Sequence, residues 1–154
     1  DLTLIPFEPE PNAVRLLTEN ILSNNLQNVE TDRLGFAVSN NHRPLNMQFR
    51  TSLSSTRCTA ENEGISVPCV SLHSILEDRK ADLIKIDVEG MEVQVLEPVM
   101  EQIKRRGTHI LMEGLESDTA GFTRVVENHG LRIAKCFPMH AGVNVLLEPC
   151  SASF

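Results

Sequence analysis

The chain has 154 residues, a length that suits one domain with a substantial hydrophobic core. Its content of 41% hydrophobic and 23% charged residues is ordinary for a globular protein. The formal net charge of −7 argues against nucleic acid or an anionic membrane as the main partner, because phosphate groups and lipid headgroups repel an acidic surface.

The first part of the chain predicts a strand followed by a helix. The apolar run from Leu2 to Phe7 indicates a strand, which the turn formers Pro9 and Pro11 end. Pro11 suits an early helical position, because its missing N–H needs no partner there. The following residues have apolar side chains at helical spacing as far as Ile21, and the helix is predicted to stop at two asparagines, Asn24 and Asn25.

Further strands are predicted at Leu34–Val38 and Leu45–Phe49, and the polar residues 50–63 are typical of a surface loop. Residues 65–72 indicate an edge strand, because Pro68 cannot donate a hydrogen bond to a neighbouring strand. A short helix is expected around Leu72–Asp78.

The second half of the chain alternates strands and helices and closes on two strands. The predicted elements are strand Asp82–Val88, a helix from about Met91 to Arg106, strand 108–115, helix Gly121–His129, and strands 131–137 and 143–149. Pro98 predicts a kink or a break in the long helix. This order predicts an α/β fold with a mainly parallel sheet, helices on both faces and an antiparallel strand at one edge.

The most unusual stretch is LIKIDVEG, from Leu83 to Gly90. Alternate residues of a strand share a face, so Lys85, Asp87 and Glu89 are expected on one side and the aliphatic residues on the other. Burying three charges without a function is costly. Two interpretations stay open: the charged face opens into a cleft near the end of the strand, or Lys85 neutralises Asp87 as a buried pair. Gly90 allows the backbone to turn sharply at this point.

Two further carboxylates follow predicted strands. Glu8 can accept hydrogen bonds from the two hydroxyls of a nucleoside ribose, the role of an acidic residue in dinucleotide-binding folds. The alternative is that Glu8 and Glu10 only stabilise the N-terminus of the next helix. Glu113 lies near the end of strand 108–115 and is a third candidate. The sequence contains no G-x-S-x-G, P-loop or H-E-x-x-H motif, so hydrolase, nucleotidase and metalloprotease functions lack support.

The cysteines indicate a reducing compartment rather than a metal site. They form no C-x-x-C pair and no histidine lies at ligand spacing from them, which argues against zinc. A chain of this length does not need disulfides, so free thiols are expected. No apolar run reaches the roughly 18 residues of a membrane span and no signal peptide opens the chain, which predicts a cytoplasmic protein.

Four segments resemble the FkbM family of S-adenosylmethionine-dependent methyltransferases, in the family's order and at about its spacing. They are FEPEPNAVRLLTENILSNNLQNVE, AVSN, ISVPCVSLHSIL and ADLIKIDVEGMEVQVLEP. The resemblance extends to at least Glu113 and is specific, because KIDVEG occurs together with FEPEP upstream. It implies a Rossmann-like class I methyltransferase sheet and transfer of a methyl group from S-adenosylmethionine to a hydroxyl of a small molecule, sugar or polyketide.

The resemblance also implies roles for individual residues. Glu8 would hold the ribose of the cofactor, and Val38 and Ser39 would lie near its adenine. Lys85, Asp87 and Glu89 would face the methyl donor and acceptor, with Asp87 as the base and Lys85 keeping it ionised. The role implied for Glu113 is substrate binding at the edge of the site.

One departure from the family pattern is the missing glycine-rich loop of the D-x-G-x-N-x-G type, since the first glycine here is Gly35. Residues 1–154 are therefore expected to form a single, N-terminally incomplete domain that lacks the first strand and helix, or one in which the flanking strands have closed up. We expect weak cofactor binding, and exposed sheet edges that favour homo-oligomers. The alternative function is a non-catalytic binding or interaction module with the same fold.

Overall fold

The computed structural model describes residues 2–40, 42–49, 56–58, 64–88, 90–114, 126, 128–139 and 142–150. The chain groups into two compact units, Asp1–Ser71 and Leu72–Phe154. The polar segment 50–63 and the helix predicted at Gly121–His129 lie mostly outside the described residues.

The first unit contains the predicted N-terminal helix, α1, which spans Pro11–Ser23. Its N-cap is Glu10, whose carboxylate accepts a hydrogen bond of 2.5 Å from the backbone N–H of Ala13. The helix stops at the two predicted asparagines, because Asn24 is the C-cap and Asn25 has a left-handed backbone with φ of 51°. The predicted start and end of α1 are therefore confirmed.

The strand predicted at Leu2–Phe7 is reduced to isolated parallel bridges, Leu4 to Val29 and Glu8 to Leu34. Pro6 and Pro9 explain the reduction, since neither has an N–H to continue a ladder. The regular strands of the unit are β1 (Ala37–Ser39), β2 (Leu45–Phe49), β3 (Thr56–Cys58), β4 (Ile65–Val67) and β5 (Cys69–Ser71).

Two sheets form in this unit. Strand β1 pairs with β5 in parallel, whereas β2 lies between β3 and β4 in an antiparallel sheet. Pro68 separates β4 from β5 and contributes only its carbonyl group, which accepts the backbone N–H of Ala37 at 3.0 Å. The edge strand predicted over residues 65–72 is thus two short strands in two sheets.

The helices of the second unit are α2 (Leu72–Asp78), α3 (Glu92–Leu96) and α4 (Met100–Arg106), with a 3-10 turn at Glu97–Val99 between α3 and α4. The break predicted at Pro98 is confirmed, because this turn interrupts the helical run there. Gly107 ends α4 with a left-handed φ of 69°.

The sheet of the second unit consists of β6 (Leu83–Ile86), β7 (His109–Gly114), β8 (Leu131–Met139) and β9 (Gly142–Pro149) in the order β6-β7-β9-β8. Strands β6 and β7 are parallel, and β9 is antiparallel to both of its neighbours. One face of this sheet is buried, and α3, the 3-10 turn and α4 bury residues of the same core: Ile86, Ile110, Met112, Val145, Leu147, Val95, Leu96, Val99, Met100 and Ile103.

The structure has the α/β fold that the sequence predicts, but the strand arrangement differs in two respects. The described strands form three sheets rather than one, and among their pairs only β1–β5 and β6–β7 are parallel. The antiparallel C-terminal strand, β9, lies inside its sheet, and β8 forms the edge. Both differences involve antiparallel pairing, of β2 with β3 and β4 in the first unit and of β9 with β7 and β8 in the second.

The sheet of the second unit has β6 and β8 as its outer strands among the described residues. Strand β8 carries Lys135, Pro138 and a register shift between Ile133 and Lys135, features that oppose pairing with another chain. Association through a sheet edge stays a prediction. In the described part of the chain, no helix is long and apolar enough to cross a membrane.

Candidate functional site

The stretch LIKIDVEG forms β6 and the turn after it, with the predicted alternation of side chains. Ile86 is buried, whereas Lys85 and Asp87 are exposed. Lys85 Nζ lies 2.9 Å from Asp87 Oδ2, so both side chains are on the same side of the strand. Glu89, the third predicted member of this group, lies outside the described residues.

The pair of Lys85 and Asp87 is not the buried pair of the second interpretation, while the cleft of the first interpretation stays a prediction. The two charges do neutralise each other, but their side chains are 59% and 48% exposed, so the pair is not buried. A salt bridge that exposed contributes at most about 1 kcal/mol to stability. The pair therefore adds little to stability, and both charges are accessible from solvent.

Glu113 joins the same face of the sheet through the strand register. Lys85 is paired with Leu111 and Ile86 with Met112 in the parallel ladder between β6 and β7. Glu113 is two residues beyond Leu111, so it lies on the face of Lys85 and at the carboxyl end of β7. The structure thus brings together three of the predicted site residues: Lys85, Asp87 and Glu113.

Asn144 is a residue of this face that sequence reasoning missed. It is the direct antiparallel partner of Glu113, and both residues are half-buried. Directly opposed residues have Cβ atoms about 4.5–5.5 Å apart, so the Asn144 amide is within reach of the Glu113 carboxylate. In the sequence, Asn144 is a polar residue in the apolar run VNVLL. This pattern does not indicate that Asn144 lies beside Glu113, because that depends on the register of β7 and β9.

The turn after β6 is held by a second residue that sequence reasoning missed. Glu92 Oε1 accepts hydrogen bonds from the backbone N–H groups of Val88, at 3.2 Å, and Gly90, at 3.1 Å. Gly90 has φ of 96°, a conformation that favours glycine, as expected for a sharp turn. Among the described residues, Glu92 is the buried carboxylate.

Glu8 lies in the first unit, at the bridge to Leu34. Its Oε1 accepts the backbone N–H of Glu10 at 2.8 Å, and its carbonyl oxygen accepts the N–H of Gly35 at 2.9 Å. Glu8 and Glu10 therefore each have a local structural role, because each carboxylate accepts a backbone N–H near the start of α1. A carboxylate has about four acceptor positions, so this bond leaves capacity for a ribose hydroxyl.

An apolar cleft adjoins Glu8 within the first unit. Its volume is about 310 Å³, at the lower end of the range of small-molecule pockets. Pro9, the residue after Glu8, lines it together with Gly35, which Glu8 holds by the backbone hydrogen bond. The remaining lining residues are Pro11, Val14, Ile65, Ser66, Val67 and Pro68.

Val38 and Ser39 form the end of β1 in the first unit. Ser39 is buried and paired in register with Ser71 of β5, while Val38 is half-buried. The hydroxyl of Ser71 lies 3.4 Å from Nε2 of His42, so polar groups gather at the carboxyl ends of the two parallel strands. The described residues contain no group of three or more potential metal ligands.

Comparison with known proteins identifies the family of the chain. The model of the methyltransferase FkbM domain matches residues 3–151. A search of curated proteins finds no match.

The crystal structure of methyltransferase FkbM from Methylobacillus flagellatus KT is similar, with a TM-score of 0.64 and 13% sequence identity. The similarity covers 94% of this chain and 36% of that chain, so the chain spans about a third of that protein. At this identity the likeness shows the fold alone.

Proposed function

The chain belongs to the methyltransferase FkbM domain family, and we propose that it takes part in transferring a methyl group from S-adenosylmethionine to a hydroxyl of a small molecule, such as a sugar or a polyketide. The observation that carries the proposal is the placement of Lys85, Asp87 and Glu113 on one face at the carboxyl ends of β6 and β7. Ligands of open α/β sheets bind at the carboxyl ends of the strands.

The proposed reaction needs a group that accepts a proton from the acceptor hydroxyl. When bound, S-adenosylmethionine supplies an electrophilic methyl group whose carbon–sulfur bond breaks as the new carbon–oxygen bond forms. Asp87 accepts the hydroxyl proton during this step and orients the oxygen toward the methyl carbon. Its exposed carboxylate is accessible to an acceptor, and the contact of 2.9 Å with Lys85 helps to orient it.

Glu113 is proposed to bind the acceptor from the neighbouring strand. It lies on the same face as Asp87 and is half-buried, so its carboxylate can accept a second hydroxyl of a sugar or polyketide. Two carboxylates on one face would hold a molecule with several hydroxyls in a fixed orientation, which favours in-line transfer.

Glu8, Val38 and Ser39 are proposed to hold the methyl donor. The free acceptor capacity of the Glu8 carboxylate fits the ribose hydroxyls. Val38 and Ser39, at the carboxyl end of β1, are assigned to the adenine.

Substitution of Glu8 tests the cofactor assignment. We expect weak but saturable binding of S-adenosylmethionine to the chain, and binding roughly 10-fold weaker or more in Glu8→Ala, because hydrogen bonds to a charged group contribute about 1.5–3 kcal/mol. Isothermal titration calorimetry measures both affinities. Glu19→Ala is the matched control, since Glu19 is an exposed glutamate of α1 that pairs with Arg15. Equal affinities of Glu8→Ala and the unaltered chain would exclude Glu8 from the cofactor site.

A second candidate function is a non-catalytic binding module of the same fold. The exposure of the Lys85–Asp87 pair favours it, since methyl transfer gains from a site that excludes water. The two functions differ in outcome: a binding module takes up S-adenosylmethionine and releases no S-adenosylhomocysteine with any acceptor hydroxyl.

Replacing Lys85 separates stability from catalysis. We expect Lys85→Met to change the free energy of unfolding by less than about 1 kcal/mol, because its salt bridge is exposed. Methyl transfer should fall about 10-fold or more, because Asp87 loses the contact of 2.9 Å that helps to orient its carboxylate toward the acceptor. Urea denaturation and transfer of labelled methyl groups measure the two effects. A large loss of stability with normal transfer would make the pair structural.

A further inference from the structure

A buried carboxylate holds the turn that follows Asp87. Glu92 is 9% exposed, and its Oε1 accepts the backbone N–H groups of both Val88 and Gly90. Burying a carboxylate costs free energy unless hydrogen bonds satisfy it. The two hydrogen bonds satisfy the Glu92 carboxylate and at the same time restrain the backbone of the turn. The turn also has a hydrogen bond from the N–H of Met91 to the carbonyl oxygen of Val88, at 3.4 Å.

The bond to Val88 acts directly on Asp87. The N–H of Val88 belongs to the planar peptide group that joins Asp87 to Val88. Fixing this plane restrains the ψ angle of Asp87 and therefore the direction of its Cα–Cβ bond. The exposed Asp87 carboxylate accepts a hydrogen bond of 2.9 Å from Lys85, which is itself exposed, so a rigid backbone is the more effective restraint.

We propose that Glu92 is a positioning residue that holds Asp87 in its productive orientation by fixing the turn from Val88 to Gly90. The inference rests on the proposed function, in which Asp87 accepts the proton of the acceptor hydroxyl. Catalytic groups need placement within about 0.5 Å, so a looser turn lowers turnover even though Glu92 touches neither the donor nor the acceptor.

The geometry suggests an informative set of variants. Both hydrogen bonds end on the same oxygen, Oε1, so Glu92→Gln retains the acceptor that the turn needs. Glu92→Met has a similar length and no comparable acceptor. Glu97→Met is the matched control, because Glu97 is exposed on the adjoining 3-10 turn.

Two measurements test the proposal: amide hydrogen exchange at Val88 and Gly90, and turnover with labelled S-adenosylmethionine and a hydroxyl acceptor. In Glu92→Met we expect exchange of the two amides to rise 10-fold or more and turnover to fall 10-fold or more. Glu92→Gln and Glu97→Met should stay within about threefold of the unaltered protein in both. A general loss of stability would raise amide exchange across β7 as well, whereas a loosened turn raises it at Val88 and Gly90.

Gly90→Ala keeps the proposal testable if Glu92→Met fails to fold. An added Cβ meets no atom within 4 Å, but the φ of 96° becomes unfavourable, so the same turn is disturbed while Glu92 is intact. Turnover should fall here as well. Faster amide exchange with normal turnover, in either variant, would overturn the proposal, and so would a loss in Glu92→Gln equal to that in Glu92→Met. Absence of any turnover in the unaltered protein would instead refute the proposed function, while the exchange rates would still show whether Glu92 holds the turn.

Discussion

Asp87→Asn is expected to reduce methyl transfer by a factor on the order of 10² or more while leaving the fold intact, because general bases contribute about 10²–10⁴-fold. Asparagine keeps the size of the side chain and removes its capacity to take up a proton. Stability should change little, since the lost salt bridge is exposed. The measurement is the rate of labelled methyl transfer from S-adenosylmethionine to any sugar or polyketide alcohol that the unaltered protein methylates.

Asp82→Asn is the control for this experiment, because Asp82 precedes the same strand and its side chain is 92% exposed in a pair with Lys80. It should retain normal transfer. The affinity of Asp87→Asn for S-adenosylmethionine should stay within about threefold of normal, since the proposed role concerns the acceptor. Near-normal turnover in Asp87→Asn would remove Asp87 from the mechanism and leave its pair with Lys85 unexplained.

Leu147→Ala is expected to have the largest effect on stability. Leu147 is 0% exposed and lies in β9 between Ile110 of β7 and Ile133 of β8, so it joins three strands of the sheet that carries Glu113. Truncating a fully buried leucine leaves a cavity and costs roughly 2–5 kcal/mol. Urea denaturation followed by circular dichroism measures the loss.

Leu146→Ala provides the comparison within the same strand. Leu146 points to the opposite face and is half-buried, so its truncation should cost clearly less than that of Leu147. Equal losses in the two variants would contradict the assignment of the buried face. The assignment matters for function. If one face of the sheet is buried, the alternate side chains of β6 and β7 lie on the opposite, polar face.

Much of the fold could be predicted because local rules act strongly at particular residues. Pro11 and Asn25 set the ends of α1, and Pro98 breaks the helical run between α3 and α4. Pro6 and Pro9 act by the same local rule, and the strand predicted at Leu2–Phe7 is two isolated bridges in the structure. The position of β9 inside its sheet depends on pairing between distant segments, which no local pattern specifies.

The part of the candidate site that lies along one stretch of chain, from Lys85 to Asp87, could be predicted from the sequence. Alternation alone placed Lys85 and Asp87 on one side of β6, and the structure confirms this. Their exposure was not predictable, because it depends on which elements cover that face. Asn144 and Glu92 were missed for a related reason: the first depends on strand register, and the second on a backbone turn that brings a helix residue back to β6.

The most direct test of the account is a titration of the ¹⁵N-labelled chain with S-adenosylmethionine, followed by nuclear magnetic resonance. We expect saturable shifts of the backbone amides of Glu8, Val38 and Ser39, the residues proposed to hold the methyl donor. Saturable shifts confined to other parts of the chain, such as α4 or β8, would contradict it.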